Sequence, residues 1–102
     1  MPFNFRDVRR SLTKKGFVED LKRHHIYFYH EYRGRRTGPY TYIPHGKMKE
    51  DAGPDIERAM KQQLSLRTTH DVRRLVGCPM DGAEYLEILE QEGVLTLTTR
   101  SR

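Results

Sequence analysis

The sequence predicts an α+β protein with an αβββα core, a three-stranded antiparallel sheet and two further helices after the core. Apolar residues recur with a helical period at the start of the chain. Three strand-like segments with short links follow, and then three segments that carry helix-capping residues. A chain of 102 residues suits one compact domain. We therefore expect one domain, with a core over residues 1–66 and a helical extension over 67–102 packed on it.

The first helix is predicted over residues 5–15. Phe5, Val8 and Leu12 recur at i, i+3 and i+7, which places them on one stripe of a helix. Asn4 is a typical N-cap residue, and Gly16 is the residue type that most often follows the last helical turn.

Three strands are expected next. Phe17-Val18 begins the first, and Glu19-Asp20 suggests a tight turn. Residues 24–32 are rich in aromatic and β-branched side chains, which favours a long strand. A basic segment with two glycines, residues 33–38, predicts a turn before a third strand over 39–43. Short links between consecutive strands imply an antiparallel meander.

The rest of the chain predicts helices. Pro54 suits the first turn of a helix, and its buried stripe is expected to comprise Ile56, Ala59, Met60 and Leu64. Thr68 and Asp81 are suitable N-caps for two more helices. The apolar faces of these two helices are expected to comprise Val72, Leu75, Val76, Tyr85, Leu86 and Leu89. Residues 94–99 alternate apolar residues with threonine, so they could form a short strand or a frayed tail.

Several classes of protein are excluded or disfavoured by composition. Cys78 is the one cysteine, so no intramolecular disulfide can form, and it is expected to be a structural thiol. No segment is long and apolar enough to cross a bilayer, and the first ten residues lack the apolar run of a signal peptide. A reducing cytoplasm is the expected location. No phosphate-loop motif or nucleophile elbow occurs, and no cofactor is expected.

Positive charge is concentrated in the front half of the chain. Residues 1–50 contain 12 Lys and Arg against 5 Asp and Glu, whereas residues 51–102 contain 7 against 9. A basic half of this kind favours a polyanion partner such as RNA. A solvated basic surface would have the same composition.

Adjacent histidines, His24 and His25, are the first candidate for chemistry. An imidazole titrates near neutrality and can both accept and donate a proton, which cleavage of RNA through its 2′-OH requires. Lys22 and Arg23 could offset charge on the phosphate. Strand alternation puts His25 on the face opposite to Ile26, and leaves open which of the two imidazoles is functional. Two ordinary strand histidines are the alternative.

Further candidates are His45 with Lys47, which precede a helix and could bind a phosphate, and two larger sets. A tyrosine set could stack on unpaired bases or pair across strands: Tyr27, Tyr29, Tyr32, Tyr40 and Tyr42. An arginine set could bind phosphates: Arg33, Arg35 and Arg36. A zinc site made from His24, His25, His30 and His45 is disfavoured, because adjacent strand residues point to opposite faces.

These segments, over about residues 5–66, resemble the HicA toxin family. The resemblance is carried by Lys15-Gly16-Phe17, His24-His25-Ile26-Tyr27-Phe28, Ile43-Pro44-His45-Gly46-Lys47, and Ile56 with Met60-Lys61-Gln62-Gln63-Leu64. Lys22-Arg23 stands where the family has Gly-Ser. The tail is similar to a longer prokaryotic variant through Gln63-Leu64-Ser65-Leu66, Leu75-Val76-Gly77-Cys78-Pro79 and Glu84-Tyr85-Leu86.

The resemblance implies a fold like the double-stranded-RNA-binding domain and a ribonuclease toxin that cleaves messenger RNA and is blocked by a HicB antitoxin. It implies that the functional histidine is His24, with His25 or His45 as a helper. Two alternatives stay open: a non-catalytic RNA-binding module of the same fold, and a protein-interaction domain. In the second, the acidic last helix, with Glu84, Glu87, Glu90 and Glu92, would dock a basic partner or cover the protein's own basic sheet.

Overall fold

The computed structural model describes residues 3–47, 49–77 and 79–95. These residues form four helices and three strands, which confirms the predicted α+β class and the order of the elements. The elements are α1 Phe5–Lys14, β1 Phe17–Leu21, β2 His25–Tyr32, β3 Arg35–Pro44, α2 Pro54–Gln63, α3 Thr69–Val76 and α4 Gly82–Gln91. No helix in the described ranges is both long enough and apolar enough to span a membrane.

Helix α1 begins at the predicted residue and ends one residue earlier than predicted, at Lys14. The Asn4 side chain accepts a hydrogen bond from the backbone N–H of Asp7 at 2.8 Å, and the Asp7 carboxylate accepts one from the Asn4 N–H at 3.3 Å. This reciprocal pair satisfies donors that the first helical turn leaves free. Val8 and Leu12 are fully buried.

The sheet has the strand order β1-β2-β3, with both pairs antiparallel. The expected tight turn at Glu19-Asp20 is wrong, because both residues lie within β1, opposite Phe28 and Tyr27. An inward-facing Glu19 is tolerated in the strand because Arg9 binds both of its carboxylate oxygens at 2.8 Å. The chain turns instead just before β2.

The β2–β3 turn is shorter than the sequence predicts. β3 already begins at Arg35, so only Arg33 and Gly34 connect the strands. Their φ angles are 54° and 80°. Two consecutive residues with positive φ form the tight turn whose twist matches that of a hairpin, which is why the strands extend so far.

The buried face of α2 differs from the predicted stripe. Met60 and Leu64 are buried as expected, but Ile56 and Ala59 are exposed and Glu57 faces the interior. A carboxylate can occupy this position because the Arg73 guanidinium of α3 contacts its two oxygens at 3.1 and 3.4 Å. The apolar pattern alone does not reveal that partner.

Helices α3 and α4 complete the same core. Thr68 and Asp81 cap them as predicted. The buried ring of Tyr85 in α4 lies 5.5 Å from the ring of Phe17 and 5.1 Å from that of His30. Both partners lie on the inner face of the sheet, so α4 covers that face and leaves the outer one open. Cys78 and residues 96–99, for which predictions were made, lie outside the described residues.

Candidate nucleic-acid interface

Successive side chains of β2 point alternately to the core and to the outer face of the sheet. Ile26, Phe28 and His30 are at most 1% exposed and point toward the helices. His25, Tyr27 and Tyr29 therefore point to the open face of the sheet. This confirms the face that the sequence assigns to His25.

Four tyrosines form a continuous surface on this open face, which we call the tyrosine stripe: Tyr27, Tyr29, Tyr40 and Tyr42. The register pairs Tyr27 with Tyr42 and Tyr29 with Tyr40 across the strands. Their ring centroids lie 5.2 and 5.9 Å apart, and Tyr27 stacks on Tyr29 at 6.0 Å with an interplanar angle of 11°. Tyr40 and Tyr42 remain about 40% exposed. The stripe therefore offers aromatic surface to a ligand.

Arginines border one end of the tyrosine stripe. The guanidinium carbon of Arg36 lies 3.8 Å from the ring centroid of Tyr29, within the range of a cation–π contact. Arg33 lies 5.3 Å from the ring centroid of Tyr32. Arg35 is exposed at the start of β3. All three predicted arginines thus lie at the hairpin end of the sheet.

Histidines lie at the other end of the stripe. His25 pairs with Pro44 in the β2–β3 register, and the His45 N–H donates to the His24 carbonyl at 3.0 Å. The His25 ring lies 5.2 Å from the ring of Tyr42 in an edge-to-face arrangement. His24 and His45 are exposed. The fold thus brings the backbones of the three predicted histidines together, although His24 precedes β2 rather than belonging to it.

Basic residues accompany the histidines. The backbone N–H of Lys22 donates to the His25 carbonyl at 2.9 Å, which closes the β1–β2 turn with Arg23 exposed inside it. The Lys22 ammonium lies 3.3 Å from the Asp20 carboxylate on the open face. Lys47 is exposed two residues after His45. The predicted basic residues therefore divide between the two ends of the stripe.

His30 is separated from the other three histidines by the sheet. It is 1% exposed, and its Nδ1 lies 2.6 Å from the Thr37 hydroxyl. Burial lowers the pKa of His30 to about 4, so the ring is neutral near pH 7. In the described ranges no group of three metal-ligating side chains is placed to hold an ion.

Comparisons with protein-family models, curated proteins and solved structures yield no match. The HicA resemblance therefore stays a prediction that rests on the motifs quoted above.

The open face carries histidines at one end, the tyrosine stripe in the middle and arginines at the other end. β2 spans eight residues, or roughly 23 Å from the histidine end to the arginine end. Aromatic surface between two basic ends suits a flexible polyanion with flat unpaired bases. Val18 and Asp20 also lie on this face, opposite Tyr29 and Tyr27. The sequence did not predict them there, because Glu19-Asp20 was expected to form a turn.

Proposed function

We propose that this protein binds RNA across the open face of its sheet and acts as a HicA-like ribonuclease on messenger RNA. The observation that carries the proposal is the continuity of the surface. The histidine end, the tyrosine stripe and the arginine end follow one another along a single strand pair.

RNA binding is supported by the kind of side chain at each point of this surface. Stacking on tyrosines such as Tyr40 and Tyr42 would hold unpaired bases, each worth roughly 1–3 kcal/mol. Arginines at one end and Lys22, Arg23 and Lys47 at the other would bind the backbone phosphates. A surface of this kind favours single-stranded over duplex RNA, whose bases are not available for stacking.

Cleavage is supported by the histidine end. In the proposed reaction one imidazole removes the proton from a 2′-OH, whose oxygen bonds to the adjacent phosphorus as the bond to the 5′ oxygen breaks. A second imidazole gives that 5′ oxygen a proton. His24 is assigned the first role through the resemblance, and His25 and His45 are its candidate partners. A HicB-like antitoxin would block this surface.

The test is a matched set of variants: His24→Ala, His25→Ala, His45→Ala and, as the control, His70→Ala. His70 lies on α3, away from the sheet. Cleavage of a long messenger RNA is followed on gels, and binding of a short single-stranded RNA by anisotropy. Loss of an acid or base lowers the rate on the order of a hundredfold to ten-thousandfold. Binding should barely change, because affinity resides in many phosphate contacts.

The outcomes separate the alternatives. If only His25→Ala is inactive, the functional histidine is the one on the tyrosine face. If the wild type binds RNA but cleaves none, the non-catalytic RNA-binding module replaces the ribonuclease, and Lys22-Arg23 in place of Gly-Ser is the sequence difference that explains the loss. If no RNA binds at low salt, both hypotheses fall and the interaction domain remains.

A further inference from the structure

A groove lies between α1 and α3, on the helical side of the protein. Its volume is about 670 Å³, and its walls come from the two helices and the segments that flank them. Its described lining contains no strand residue, whereas the tyrosine stripe faces away from the helices. The helical groove is therefore a surface separate from the proposed RNA interface.

Cationic side chains border the helical groove on both sides. Its described lining contains five Lys and Arg residues and one carboxylate, Asp7, while carboxylates just outside the lining pair with two of the five cations. The positive charge that remains lies on the α1 side of this concave site, where it attracts anions. The basic residues are Arg10, Lys14, Lys15, His70, Arg73 and Arg74.

Some of these cations are fixed by the fold. The Lys15 ammonium contacts the carbonyl oxygens of Leu75 and Gly77 at 2.5 and 2.7 Å, at the C-terminal end of α3. Arg73 is held by Glu57 on α2, and Arg74 is held by Asp71 and Glu84. Lys14, in contrast, forms no ion pair with any residue that the structure describes.

Arg10 extends the accessible part of this border. Its guanidinium pairs with Asp7, one turn earlier on the same helix, and its side chain is 60% exposed. A surface pair of this kind is weak and can be exchanged for a ligand carboxylate. Arg10 and Lys14 lie four residues apart, on one side of α1.

The lining also contains apolar residues. Phe3, Val76 and Pro79 lie among the charged side chains. Pro79 is exposed, whereas Phe3 and Val76 are 8% and 2% exposed and present only an edge. A concave site with an apolar part and several convergent charges is the usual form of a binding pocket. The pocket thus suits a ligand that carries both negative charge and an apolar group.

We propose that the helical groove binds an acidic peptide segment of a partner protein, with one or two apolar side chains against Pro79 and the exposed edge of Phe3. Carboxylates of the peptide would pair with Arg10 and Lys14 on α1. A peptide is favoured over an RNA backbone, because sugar and phosphate present no apolar side chain to this part of the lining. It is favoured over a small anion, because a small anion presents no apolar group to Pro79.

The test uses the full chain and a fluorescein-labelled acidic peptide of about twelve residues with two leucines four positions apart. Lys14→Glu and Arg10→Glu change exposed side chains in the border of the groove. Arg58→Glu is the matched control, since Arg58 is equally exposed but lies on α2 outside the groove. We expect each groove variant to weaken peptide binding about tenfold or more, and the control to change it less than about twofold.

A second peptide, with both leucines replaced by serine, tests the apolar part of the site and should bind about tenfold more weakly. Equal losses from Arg58→Glu and Lys14→Glu would reduce the binding to general charge attraction and overturn the proposal. Failure of the leucine peptide to bind at about 1 mM would also overturn it. So would a larger loss of single-stranded RNA binding than of peptide binding in Lys14→Glu, which would assign the groove to nucleic acid.

The peptide assay is independent of the proposed RNA function. Tyr40→Ala, on the open face of the sheet, should leave peptide affinity unchanged. A protein that binds the acidic peptide but no RNA would support the groove and contradict the proposed function. The two proposals can therefore fail separately.

Discussion

The guanidinium of Arg36 lies over the ring of Tyr29, 3.8 Å from its centroid, at the arginine end of the open sheet face. The contact holds a cation beside an aromatic surface on which a base can stack. A planar guanidinium that rests on a ring keeps its outer N–H groups available for a phosphate.

The Arg36→Ala variant should therefore lose about one phosphate contact to single-stranded RNA. The expected result is a smaller dependence of binding on salt, with the slope of log affinity against log salt reduced by about 0.7. Anisotropy titrations over a series of salt concentrations measure the slope. Arg58→Ala, which removes an exposed side chain of α2, is the control and should keep the wild-type slope. An unchanged slope for Arg36→Ala would remove Arg36 from the interface.

Gly16 is expected to resist substitution for two reasons. Its φ is +97°, and a Cβ added there would lie 3.3 Å from Nε2 of the buried His30. Gly34 has φ +80°, and a Cβ added to it would have no described atom within 4 Å, so this position isolates the backbone effect. Gly34→Ala should lower the free energy of unfolding by about 1–2 kcal/mol, and Gly16→Ala by more. Urea denaturation measures both, and equal losses would show that the contact with His30 has no cost.

The buried hydroxyl of Tyr85 donates a hydrogen bond to the Leu64 carbonyl at 2.7 Å. Burial also raises the pKa of Tyr85, so the hydroxyl keeps its proton over the working pH range. Tyr85→Phe should lower the free energy of unfolding by about 1–2 kcal/mol, because the carbonyl at the end of α2 loses its partner. Tyr42→Phe, on the open face, should leave stability unchanged. If Tyr85→Phe leaves the free energy of unfolding unchanged, the Leu64 carbonyl has found another donor.

The stability of the protein should depend on pH through His30. Its pKa is about 4 in the folded protein and near 6.5 when unfolded, so the unfolded chain binds the proton first as the pH falls. Stability is thus complete above about pH 6.5 and decreases toward pH 4, by about 3 kcal/mol for this residue. His30→Gln removes the titrating group, so denaturation at pH 7 and pH 4 should show a smaller difference for the variant than for the wild type. Parallel losses in both proteins would assign the acid sensitivity to other groups.

Local sequence signals predicted most of the fold because their causes are local. Asn4 and Asp7 cap α1 within one turn, and Gly16 ends it. The alternation through β2 also placed His25 on the correct face. The prediction was wrong where the local structure depends on a residue distant in sequence. Glu19 fits in a strand because Arg9 pairs with it, and Glu57 can be buried because Arg73 pairs with it.

In the candidate sites, too, local signals were predictable and contacts between distant residues were not. Residue types identified the tyrosines and histidines, whereas their assembly into one surface depends on the strand register, with Tyr27 opposite Tyr42. Nothing in the sequence pattern indicated the helical groove. Its two walls lie about sixty residues apart in the chain, as the contact of the Lys15 ammonium with the Leu75 carbonyl shows, and no short pattern records that proximity.

The alternation in β2 has a consequence for how this protein can vary. Successive residues from His25 to His30 serve the outer surface and the core in turn. A substitution can alter one of these two roles and spare the other. An insertion or deletion of one residue would exchange them, exposing Ile26 and Phe28 and burying the tyrosines. Variation in this strand is therefore restricted to substitutions, and a library that randomises only its outward positions can change ligand preference without changing the core.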